Sequence, residues 1–222
     1  TDVTPGSNGP LSVDADGNVT VAPNTPSGTY TITYELCETG AVPANCDTAV
    51  ATVVISSTID AVDDNTYPTQ TPSTTVPTVV GDVTVNDTLN GVPVTTANTD
   101  VTPITTGPLS IDANGELTIA PGTSSGTYTI TYELCETGAV PANCDTATAT
   151  VVVLNPIDAI DDNTYPTQTP DTVNPIVVGD VTINDTLNGV LVSSGNTDVT
   201  PITTGPLSID ANGELTLAPN TP

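Results

Sequence analysis

The chain has 222 residues, of which 26 are Asp or Glu and none is Lys, Arg or His, so its formal net charge is −26. Without a cationic side chain it lacks the groups that contact nucleic-acid phosphates or anionic lipid, and nucleic-acid binding is excluded. No apolar run reaches the roughly 18 residues of a membrane span, so direct membrane insertion is not expected. Alternating Thr, Val and Ile, punctuated by 21 Pro and 17 Gly, predict an all-β protein.

The sequence repeats with a period of 98 residues. The segment GTYTITYELCETGAVPANCDTA at 28–49 recurs unchanged at 126–147, and Cys37 and Cys135 are therefore 98 positions apart (135 − 37 = 98). A period of about 100 residues is the size of one β-sandwich domain and is too long for one turn of a solenoid. The repetition predicts a tandem array of similar domains.

We place the repeat boundaries where a Val-rich run ends and an acidic segment begins. In this frame residues 59–156 are a complete immunoglobulin-like repeat, residues 1–58 the C-terminal part of one repeat, and residues 157–222 the N-terminal part of the next. A partial repeat exposes strand edges and half a core. We therefore expect more of the same array to complete it, either within a longer chain or from a second subunit that supplies the missing strands.

The complete repeat begins with the acidic segment DAVDDNTY. Carboxylates are preferred Ca²⁺ ligands, so one interpretation is a calcium site at the junction of two repeats. The other is a set of solvated acids that keep the array soluble. The residues of the predicted calcium site are Asp60, Asp63 and Asp64, with Asp158, Asp161 and Asp162 at the equivalent positions of the next repeat. A second acidic group comprises Asp82, Asn86 and Asp87.

Alternating apolar residues predict the next strands of the complete repeat. VVGDVTVND predicts a strand with Val79, Gly81, Val83 and Val85 on one face. PLSIDANGELTIAP, at 108–121, predicts a hairpin, because Asn-Gly between alternating runs is a strong hairpin signal.

The runs GTYTITYELC and DTATATVVVL predict a second hairpin. The residues predicted to point inward are Tyr128, Ile130, Tyr132 and Leu134 on its first strand, and Ala147, Ala149, Val151 and Val153 on its second. With shorter candidate strands at 61–66, 91–95 and 101–104, the repeat has about seven strands, as an immunoglobulin-like or cadherin-like β-sandwich requires.

Each repeat has two cysteines separated by eight residues across the mouth of this hairpin: Cys37 and Cys46, and Cys135 and Cys144. Two cysteines without a histidine do not complete a zinc site, and the redox motif C-x-x-C is absent. Facing positions of an antiparallel pair lie within the reach of a disulfide. We therefore predict one local disulfide per repeat, outside the core, and an oxidising compartment outside the cell or in the periplasm.

Catalysis is not expected. No His, no Lys and no free thiol is left to act as general base or nucleophile. Carboxylate pairs serve glycosidases, but here every Asp belongs to a repeated unit, and active sites are rarely repeated at fixed intervals. Calcium is the one cofactor that the sequence suggests.

The motifs GTYTITYELCE, NCDTATATVVV, DAxDDNTY and VNDTLNG together resemble the tandem immunoglobulin-like or cadherin-like repeats of giant Bacteroidota surface proteins, such as gliding-motility adhesins exported by type IX secretion. The resemblance covers the whole chain and implies a cell-surface stalk or filament used in adhesion or gliding. It also implies O-glycosylation at Asp-Ser/Thr pairs that precede a small or aliphatic residue. The matching threonines are Thr48, Thr88, Thr146, Thr172 and Thr186.

Three functions remain open at this stage. The first is a structural spacer that gives an extracellular fibre length and stiffness, with neighbouring repeats as its partners. The second is a calcium-dependent, glycan-binding repeat, although the chain has no Trp and aromatic residues make up only 3 % of it. The third is a self-polymerising, pilus-like subunit that exchanges strands with other copies.

Overall fold

The computed structural model describes residues 2–203 and 205–221, with Asp2 described by its backbone alone. Every regular element in this part of the chain is a β-strand, and the strands form three-stranded sheets. None of the described residues belongs to a helix long and apolar enough to cross a membrane. The all-β prediction is confirmed.

Six strands lie in the first 58 residues: β1 (Asp2–Val3), β2 (Gly6–Asn8), β3 (Leu11–Val13), β4 (Val19–Val21), β5 (Gly28–Cys37) and β6 (Cys46–Ile55). Nine lie in residues 59–156: β7 (Ile59–Asp60), β8 (Thr78–Asp82), β9 (Thr88–Leu89), β10 (Val92–Pro93), β11 (Thr99–Pro103), β12 (Leu109–Ile111), β13 (Glu116–Ile119), β14 (Gly126–Glu136) and β15 (Cys144–Val153). Six more follow: β16 (Ile157–Asp158), β17 (Ile176–Asp180), β18 (Thr186–Leu187), β19 (Val190–Leu191), β20 (Leu207–Ile209) and β21 (Glu214–Leu217).

Three small sheets build the region 59–156, in the strand orders β10-β9-β7, β12-β13-β8 and β11-β14-β15. Three of its nine strands, β7, β9 and β10, are only two residues long. The acidic segment after β7 also joins the edge of β15 through a parallel bridge between Asp64 and Ala149. The beginning of the repeat thus extends the sheet at the edge of β15.

The period-two pattern of the β14–β15 hairpin places its apolar residues in the core. Ile130, Tyr132 and Leu134 of β14 and Ala149 and Val151 of β15 are all buried. The Thr side chains between them point away, because successive strand residues point to opposite faces. The predicted inward faces of both strands are confirmed, with Tyr128 near the start of β14 only half-buried.

The β12–β13 hairpin also forms as predicted, around the Asn-Gly turn. Gly115 has a φ of +87°, a conformation that glycine adopts without strain. Asp112 closes the turn, since its Oδ1 accepts hydrogen bonds from the backbone N–H groups of Asn114 and Glu116, both at 2.9 Å. The side chains of Leu117 and Ile119 on the second strand are fully buried.

The prediction of one apolar face along 79–85 is wrong. Val83 is fully buried, whereas Val79 is 56 % and Val85 is 74 % exposed. A register shift in the pairing of β8 with β13 breaks the alternation, and Gly81 lies where a Cβ would be 2.8 Å from the Tyr67 ring. The strand ends at Asp82, whose Oδ1 accepts a hydrogen bond from the Thr84 backbone N–H at 2.7 Å.

The chain divides into two compact units. Unit 1 comprises Thr1–Pro68, Pro77–Ala120 and Thr127–Val152, and unit 2 comprises Thr69–Val76, Pro121–Gly126 and Val153–Pro222. Unit 1 thus contains the first partial repeat together with most of the complete repeat. The three-part division at residues 58 and 156 follows the sequence period and stays a prediction.

Candidate functional site

Both predicted disulfides are present. Cys37 is bonded to Cys46 and Cys135 to Cys144, with Cα–Cα distances of 4.1 Å in each case. Cys37 and Cys46 are direct partners across the β5–β6 hairpin. Each bridge therefore closes the open end of a hairpin and holds the eight-residue loop beyond it.

In unit 1 the loop 136–143 contacts the preceding partial repeat. The Val140 backbone N–H donates to the Ser27 carbonyl at 3.0 Å, and Val140 forms a parallel bridge with Gly28. In return, the Ser27 backbone N–H donates to Oε1 of Glu136 at 3.1 Å. We call this set of contacts the repeat joint. It attaches the disulfide-closed loop of one repeat to the start of the long hairpin in the repeat before it.

Glu136 is the charged residue at the centre of the repeat joint, and it is only 7 % exposed. Asn143 donates from Nδ2 to Oε2 of Glu136 at 2.8 Å and to the Ser57 carbonyl at 3.2 Å. Burial raises the pKa of Glu136, but the hydrogen bonds from Asn143 and Ser27 outweigh it, and the pKa lies below its ordinary value. The carboxylate is therefore held ionised and fully engaged by its neighbours.

Asn90 adds a second pair of contacts to the repeat joint. Its backbone N–H donates to the Thr58 carbonyl at 2.7 Å, and its Oδ1 accepts from the Thr58 N–H at 2.9 Å. Asn188, 98 residues later, donates its backbone N–H to the Pro156 carbonyl at 2.7 Å. Both asparagines have a positive φ, of 55° and 52°. The same boundary contact is thus built at both predicted repeat boundaries.

Sequence reasoning predicted the disulfide loop but missed that it contacts another repeat. Glu136 could have indicated this contact. It continues the alternate positions of Tyr132 and Leu134 along β14, so its side chain points inward. An acid at an inward position of a strand needs partners. Nothing in the alternation indicated that these partners come from residues 27 and 143.

A second polar cluster lies inside the complete repeat, around the Tyr132 hydroxyl. This hydroxyl is 2.8 Å from the Val83 carbonyl oxygen, 3.0 Å from Asp87 Oδ2 and 3.3 Å from Asp64 Oδ2. Asp87 is fully buried and Asp64 is 9 % exposed. One hydroxyl proton cannot serve three acceptors at once, so the two carboxylates are incompletely compensated.

The electrostatics of this cluster follow from burial and mutual repulsion. Burial, and then the charge of Asp87, raise the pKa of Asp64 to about 6. Burial also raises the pKa of Asp87, although its Oδ1 accepts a 2.7 Å hydrogen bond from the Val62 backbone N–H. The sequence placed Asp64 and Asp87 in two separate acidic groups, and the structure brings one residue of each together.

The aspartates of the predicted calcium site do not share a ligand set. Asp63 Oδ1 accepts from the Thr148 backbone N–H at 2.8 Å, Asp64 faces Tyr132, and Asp60 is exposed on β7. The equivalents in unit 2 are exposed at Asp158 and Asp161 and half-buried at Asp162.

Two groups of three metal-ligand atoms occur among the described residues, and neither includes these aspartates: Glu35 with Cys37 and Cys46, and Glu133 with Cys135 and Cys144. The cysteines of both groups are disulfide-bonded and are not thiolate ligands. A calcium ion takes six to eight oxygen ligands. Without an ion, the carboxylates of Asp60, Asp63 and Asp64 are not gathered into one set of ligands, and the calcium site stays a prediction.

The threonines of the predicted glycosylation motif differ in accessibility. Thr48, Thr146 and Thr172 are exposed, whereas Thr88 and Thr186 are half-buried on short paired strands. The outward direction that strand parity predicts for Thr48 and Thr146 agrees with this exposure.

Comparison with known proteins adds little to these observations. No protein-family model and no curated protein matches the sequence. Among solved structures, the chain is similar to protocadherin gammaB7 EC3-6 in its cis-dimer structure, at 14 % identity and a TM-score of 0.33, over 97 % of this chain and 58 % of that one. It is also similar to mouse protocadherin-24 EC1-3 (16 % identity, TM-score 0.35, 97 % of this chain and 76 % of that one). The chain is similar to chicken VE-cadherin EC1-2 as well, at 14 % identity and a TM-score of 0.33, over 68 % of this chain and 82 % of that one.

These neighbours are cadherin-like extracellular repeats. The chain spans less than two thirds of the protocadherin gammaB7 and gammaB4 chains that it matches. At these identities and TM-scores the similarity carries no argument about function, and the assignment of tandem β-sandwich repeats rests on the chain's own strands and period.

Proposed function

We propose that this chain is a spacer segment of an extracellular surface fibre, in which closely similar repeats follow one another and give the fibre length and stiffness. The observation that carries the proposal is the repeat joint in unit 1. Its contacts use backbone groups of Ser27 and Val140, the buried side chain of Glu136 and the half-buried side chain of Asn143. A joint with directional hydrogen bonds and a buried charge defines one geometry between neighbours.

The residues of the repeat joint recur at the 98-residue period, which supports the spacer role. Glu38 and Asn45 repeat the pair Glu136 and Asn143, with Asn45 Nδ2 donating to Glu38 Oε2 at 2.8 Å. Ser125 repeats Ser27, and each serine hydroxyl accepts a hydrogen bond from the backbone N–H at the end of its repeat, at 2.7 Å from Ser57 and 2.8 Å from Asn155. Each added copy therefore brings both halves of the same joint.

The disulfides and the surface charge support a place outside the cell. Disulfides persist in oxidising compartments, and a net charge of −26 without any cationic side chain keeps long arrays soluble and apart. We propose the bacterial cell surface, and an adhesin stalk of the gliding-motility type, because the sequence motifs resemble the repeats of such proteins.

The spacer function predicts that length grows in equal steps with repeat number. Chains carrying one, two or three additional copies of residues 59–156 are prepared, and their lengths are measured by electron microscopy. A strand of about ten residues spans roughly 33 Å, so each copy adds on the order of 40 Å. Lengths that do not increase by a constant step would contradict the proposal.

A matched pair of variants tests whether the repeat joint provides the stiffness. Glu136→Ala removes the buried carboxylate of the joint and broadens the distribution of lengths. Glu116→Ala removes an exposed carboxylate of the same repeat that takes no part in the joint, and it leaves the distribution unchanged. Equal behaviour of the two variants would show that these contacts do not hold the repeats in place.

The alternatives have less support from the geometry. A cleft of about 460 Å³ opens at the repeat joint, but none of the residues that line it is aromatic, and sugar-binding sites commonly stack sugars on aromatic rings. The calcium site stays a prediction that a chelator tests: a melting temperature lowered by EDTA would support it. Glycosylation at Thr48, Thr146 and Thr172 is proposed from the resemblance, and an intact mass equal to the sequence mass would exclude it.

A further inference from the structure

Asparagine is followed by glycine at five places in the chain: Asn8, Asn90, Asn114, Asn188 and Asn212. Glycine has no Cβ, so its backbone nitrogen can approach the side-chain amide carbon, Cγ, of the preceding asparagine. Attack of that nitrogen on Cγ expels ammonia and changes the side chain without any enzyme. The structure around each pair decides whether it reacts.

The Asn114–Gly115 pair is held in an unreactive arrangement. The Gly115 N–H donates to the Asp112 carbonyl at 3.1 Å, and Gly115 is buried. Its equivalent Gly213 is also buried, and its N–H donates to the Asp210 carbonyl at 3.1 Å. In both turns the attacking nitrogen is therefore occupied and shielded from water.

The Asn90–Gly91 pair lies in the tight turn between β9 and β10 and is open to solvent. Both residues are exposed, and a Cβ at Gly91 would contact nothing within 4 Å. Among the residues that the structure describes, none accepts a hydrogen bond from the Gly91 N–H. The attacking nitrogen is therefore free, and water reaches the site.

The amide oxygen of Asn90 is also prepared for the reaction. Its Oδ1 accepts a hydrogen bond from the Thr58 backbone N–H at 2.9 Å. When a nitrogen attacks Cγ, negative charge develops on this oxygen, and a fixed N–H donor stabilises that charge as an oxyanion hole does. Thr58 thus lowers the barrier for attack by Gly91.

In the other four pairs the amide nitrogen makes the side-chain contact instead. Asn188, in the equivalent turn of the next repeat, donates from Nδ2 to the Pro72 carbonyl at 2.8 Å. Asn8 donates from Nδ2 to the Thr31 carbonyl at 2.9 Å. An acceptor that holds Nδ2 hinders the protonation that this nitrogen needs in order to leave as ammonia. The two remaining asparagines donate from Nδ2 to aspartate carboxylates: Asn114 at 3.1 Å and Asn212 at 3.3 Å.

The different contacts of Asn90 and Asn188 follow from one change in the sequence. Residue 58 is Thr, whereas the equivalent residue 156 is Pro, which has no backbone N–H. The carbonyls of Thr58 and Pro156 both accept from the backbone N–H of their asparagine at 2.7 Å, so only the donor to Oδ1 is lost. The two turns are therefore a natural pair, with and without this donor.

We propose that Asn90 is a site of spontaneous deamidation through a succinimide. The Gly91 nitrogen gives up its proton and bonds to Cγ of Asn90, the bond from Cγ to Nδ2 breaks, and Nδ2 leaves as ammonia with that proton. Water then opens one of the two carbonyls of the five-membered ring and leaves aspartate or isoaspartate at position 90. The reaction consumes one water and needs no cofactor.

The product weakens the repeat joint. Isoaspartate carries the main chain through Cγ, which lengthens the chain by one bond and displaces the groups that contact the Thr58 N–H and carbonyl. Either product adds a negative charge to the cleft that Asn90 lines together with the ionised carboxylate of Glu136. The joint therefore becomes more mobile as the chain ages. This consequence rests on the proposed spacer role, whereas the reaction itself does not.

Peptide mapping of the 222-residue chain, aged in neutral buffer, tests the proposal. Cleavage before aspartate releases residues 87–99 and 185–197, which contain Asn90 and Asn188 and differ in mass. We expect Asn90 to convert at least about tenfold faster than Asn188, since one oxyanion donor changes enzymatic rates by about a hundredfold or more. In denaturant the contacts are lost and the two rates converge.

A reciprocal pair of variants isolates the donor. Thr58→Pro removes the N–H that Asn90 uses, at a position where the next repeat already accommodates Pro, and slows conversion to the rate of Asn188. Pro156→Thr supplies an N–H at the second boundary and accelerates conversion of Asn188. In the aged, unmodified chain, the Thr58 and Val140 amides lose protection from hydrogen exchange in proportion to the converted fraction.

Equal rates at Asn90 and Asn188 in the folded chain, faster conversion of Asn114, or a rate at Asn90 that Thr58→Pro does not change would overturn the proposal. Conversion without any loss of protection at Thr58 would overturn its effect on the joint. The spacer role fails separately, through lengths that do not grow by a constant step in freshly prepared chains.

Discussion

In the cluster of Tyr132, Asp64 and Asp87, two buried carboxylates share the one proton of the Tyr132 hydroxyl as their common hydrogen-bond donor. Two carboxylates lie within 3.3 Å of one hydroxyl in an environment that is more than nine-tenths buried. Like charges so placed favour protonation of one of the pair. The cluster therefore costs folding free energy at neutral pH, and it offsets that cost only in part through the Tyr132 hydroxyl and the Val62 N–H.

The free energy of unfolding is predicted to increase when the pH falls from 7 to about 4. The pKa of Asp64 is about 6 in the folded protein, above its ordinary value in an unfolded chain, so the folded state holds more protons between these values. The stability that protonation of Asp64 contributes is fully present below the pKa of this residue in the unfolded chain, and it is lost as the pH rises through about 6. A shift of about two pKa units corresponds to roughly 2–3 kcal/mol. Chemical denaturation at several pH values measures it.

The Asp64→Asn variant is the control for this pH dependence. It removes the titrating group, so the free energy of unfolding increases less when the pH falls. Asp162→Asn, at the equivalent position outside the buried cluster, leaves this increase unchanged. A further fall of pH reverses the trend, because hydrogen bonds from the backbone N–H groups of Glu116 and Glu214 help lower the pKa values of the turn aspartates Asp112 and Asp210. A stability that falls steadily from pH 7 to 4 would contradict the assignment.

Removal of the Tyr132 hydroxyl is predicted to destabilise the complete repeat by roughly 1–3 kcal/mol, because buried acceptors lose their donor. Tyr132→Phe keeps the ring and its packing. Tyr34→Phe makes the same change on the half-buried equivalent and has a smaller effect. Urea titration of both variants, followed by tyrosine-independent far-UV circular dichroism, gives the comparison. Equal effects would mean that the cluster contributes nothing specific.

At the scale of elements, the disulfide-closed hairpin is the unit from which the repeat joint is built. The bridge fixes the end of β14 and the start of β15, and the loop between them then contacts Ser27 and Ser57 of the preceding repeat. A loop held at both ends loses less conformational entropy when it is ordered at an interface. The disulfide thus stabilises the hairpin and prepares its loop for contact.

Replacing both Cys135 and Cys144 with Ser is predicted to lower the free energy of unfolding by about 2–3 kcal/mol, the value expected for closing a loop of about ten residues. It also increases hydrogen exchange at the Val140 amide, which donates across the joint. The matched replacement of Cys37 and Cys46 opens an identical loop and leaves Val140 exchange unchanged. If hydrogen exchange at Val140 were unaltered in the variant that lacks Cys135 and Cys144, the disulfide would have no influence on the repeat joint.

The hairpins show where sequence reasoning succeeds. In β14 and β12–β13 the alternation is uninterrupted and one face is buried. The predicted inward residues are the buried ones, except Tyr128 near the start of β14, which is half-buried. In 79–85 the same rule fails, because a register shift opposite Leu117 and Thr118 moves the later residues to the other face. A bulge leaves no mark in the apolar pattern, although Gly81 inside a strand is a local signal for one.

The functional contacts were harder to predict for a related reason. Cys135–Cys144 lies within one hairpin, so its spacing of nine positions was sufficient. Asp64 and Asp87 are 23 positions apart (87 − 64). Glu136 and Ser27 are 109 positions apart (136 − 27). Such contacts depend on which strands become neighbours, and strand order is not encoded in the alternation of a single strand.

At the scale of the whole molecule, every side-chain charge has the same sign. With 26 acidic side chains and no cationic partner, the long-range electrostatic free energy opposes the compact state. Stability must therefore come from apolar burial in the repeats, from hydrogen bonds and from the disulfides. The counter-charge must come from solvent ions, a bound metal or a basic partner.

Added salt is consequently predicted to raise the melting temperature. An increase from 0.01 M to 1 M salt shortens the Debye length from about 30 Å to about 3 Å and removes repulsion between distant carboxylates. Calorimetry in NaCl measures the effect, and tetramethylammonium chloride at equal ionic strength is the control, since screening does not depend on the cation. A rise confined to one cation would indicate specific ion binding, and a fall in either salt would contradict the prediction.

The disulfide at the mouth of each hairpin also has a mechanical consequence. If a fibre of these repeats is pulled from its two ends, a repeat that yields extends only by the residues outside its closed loop. The nine Cα–Cα steps from Cys135 to Cys144 stay closed by the disulfide, and they withhold roughly 30 Å of extension from each rupture event. In single-molecule stretching, a reductant should lengthen every unfolding step by this amount. The disulfides therefore limit how far each repeat can extend under force.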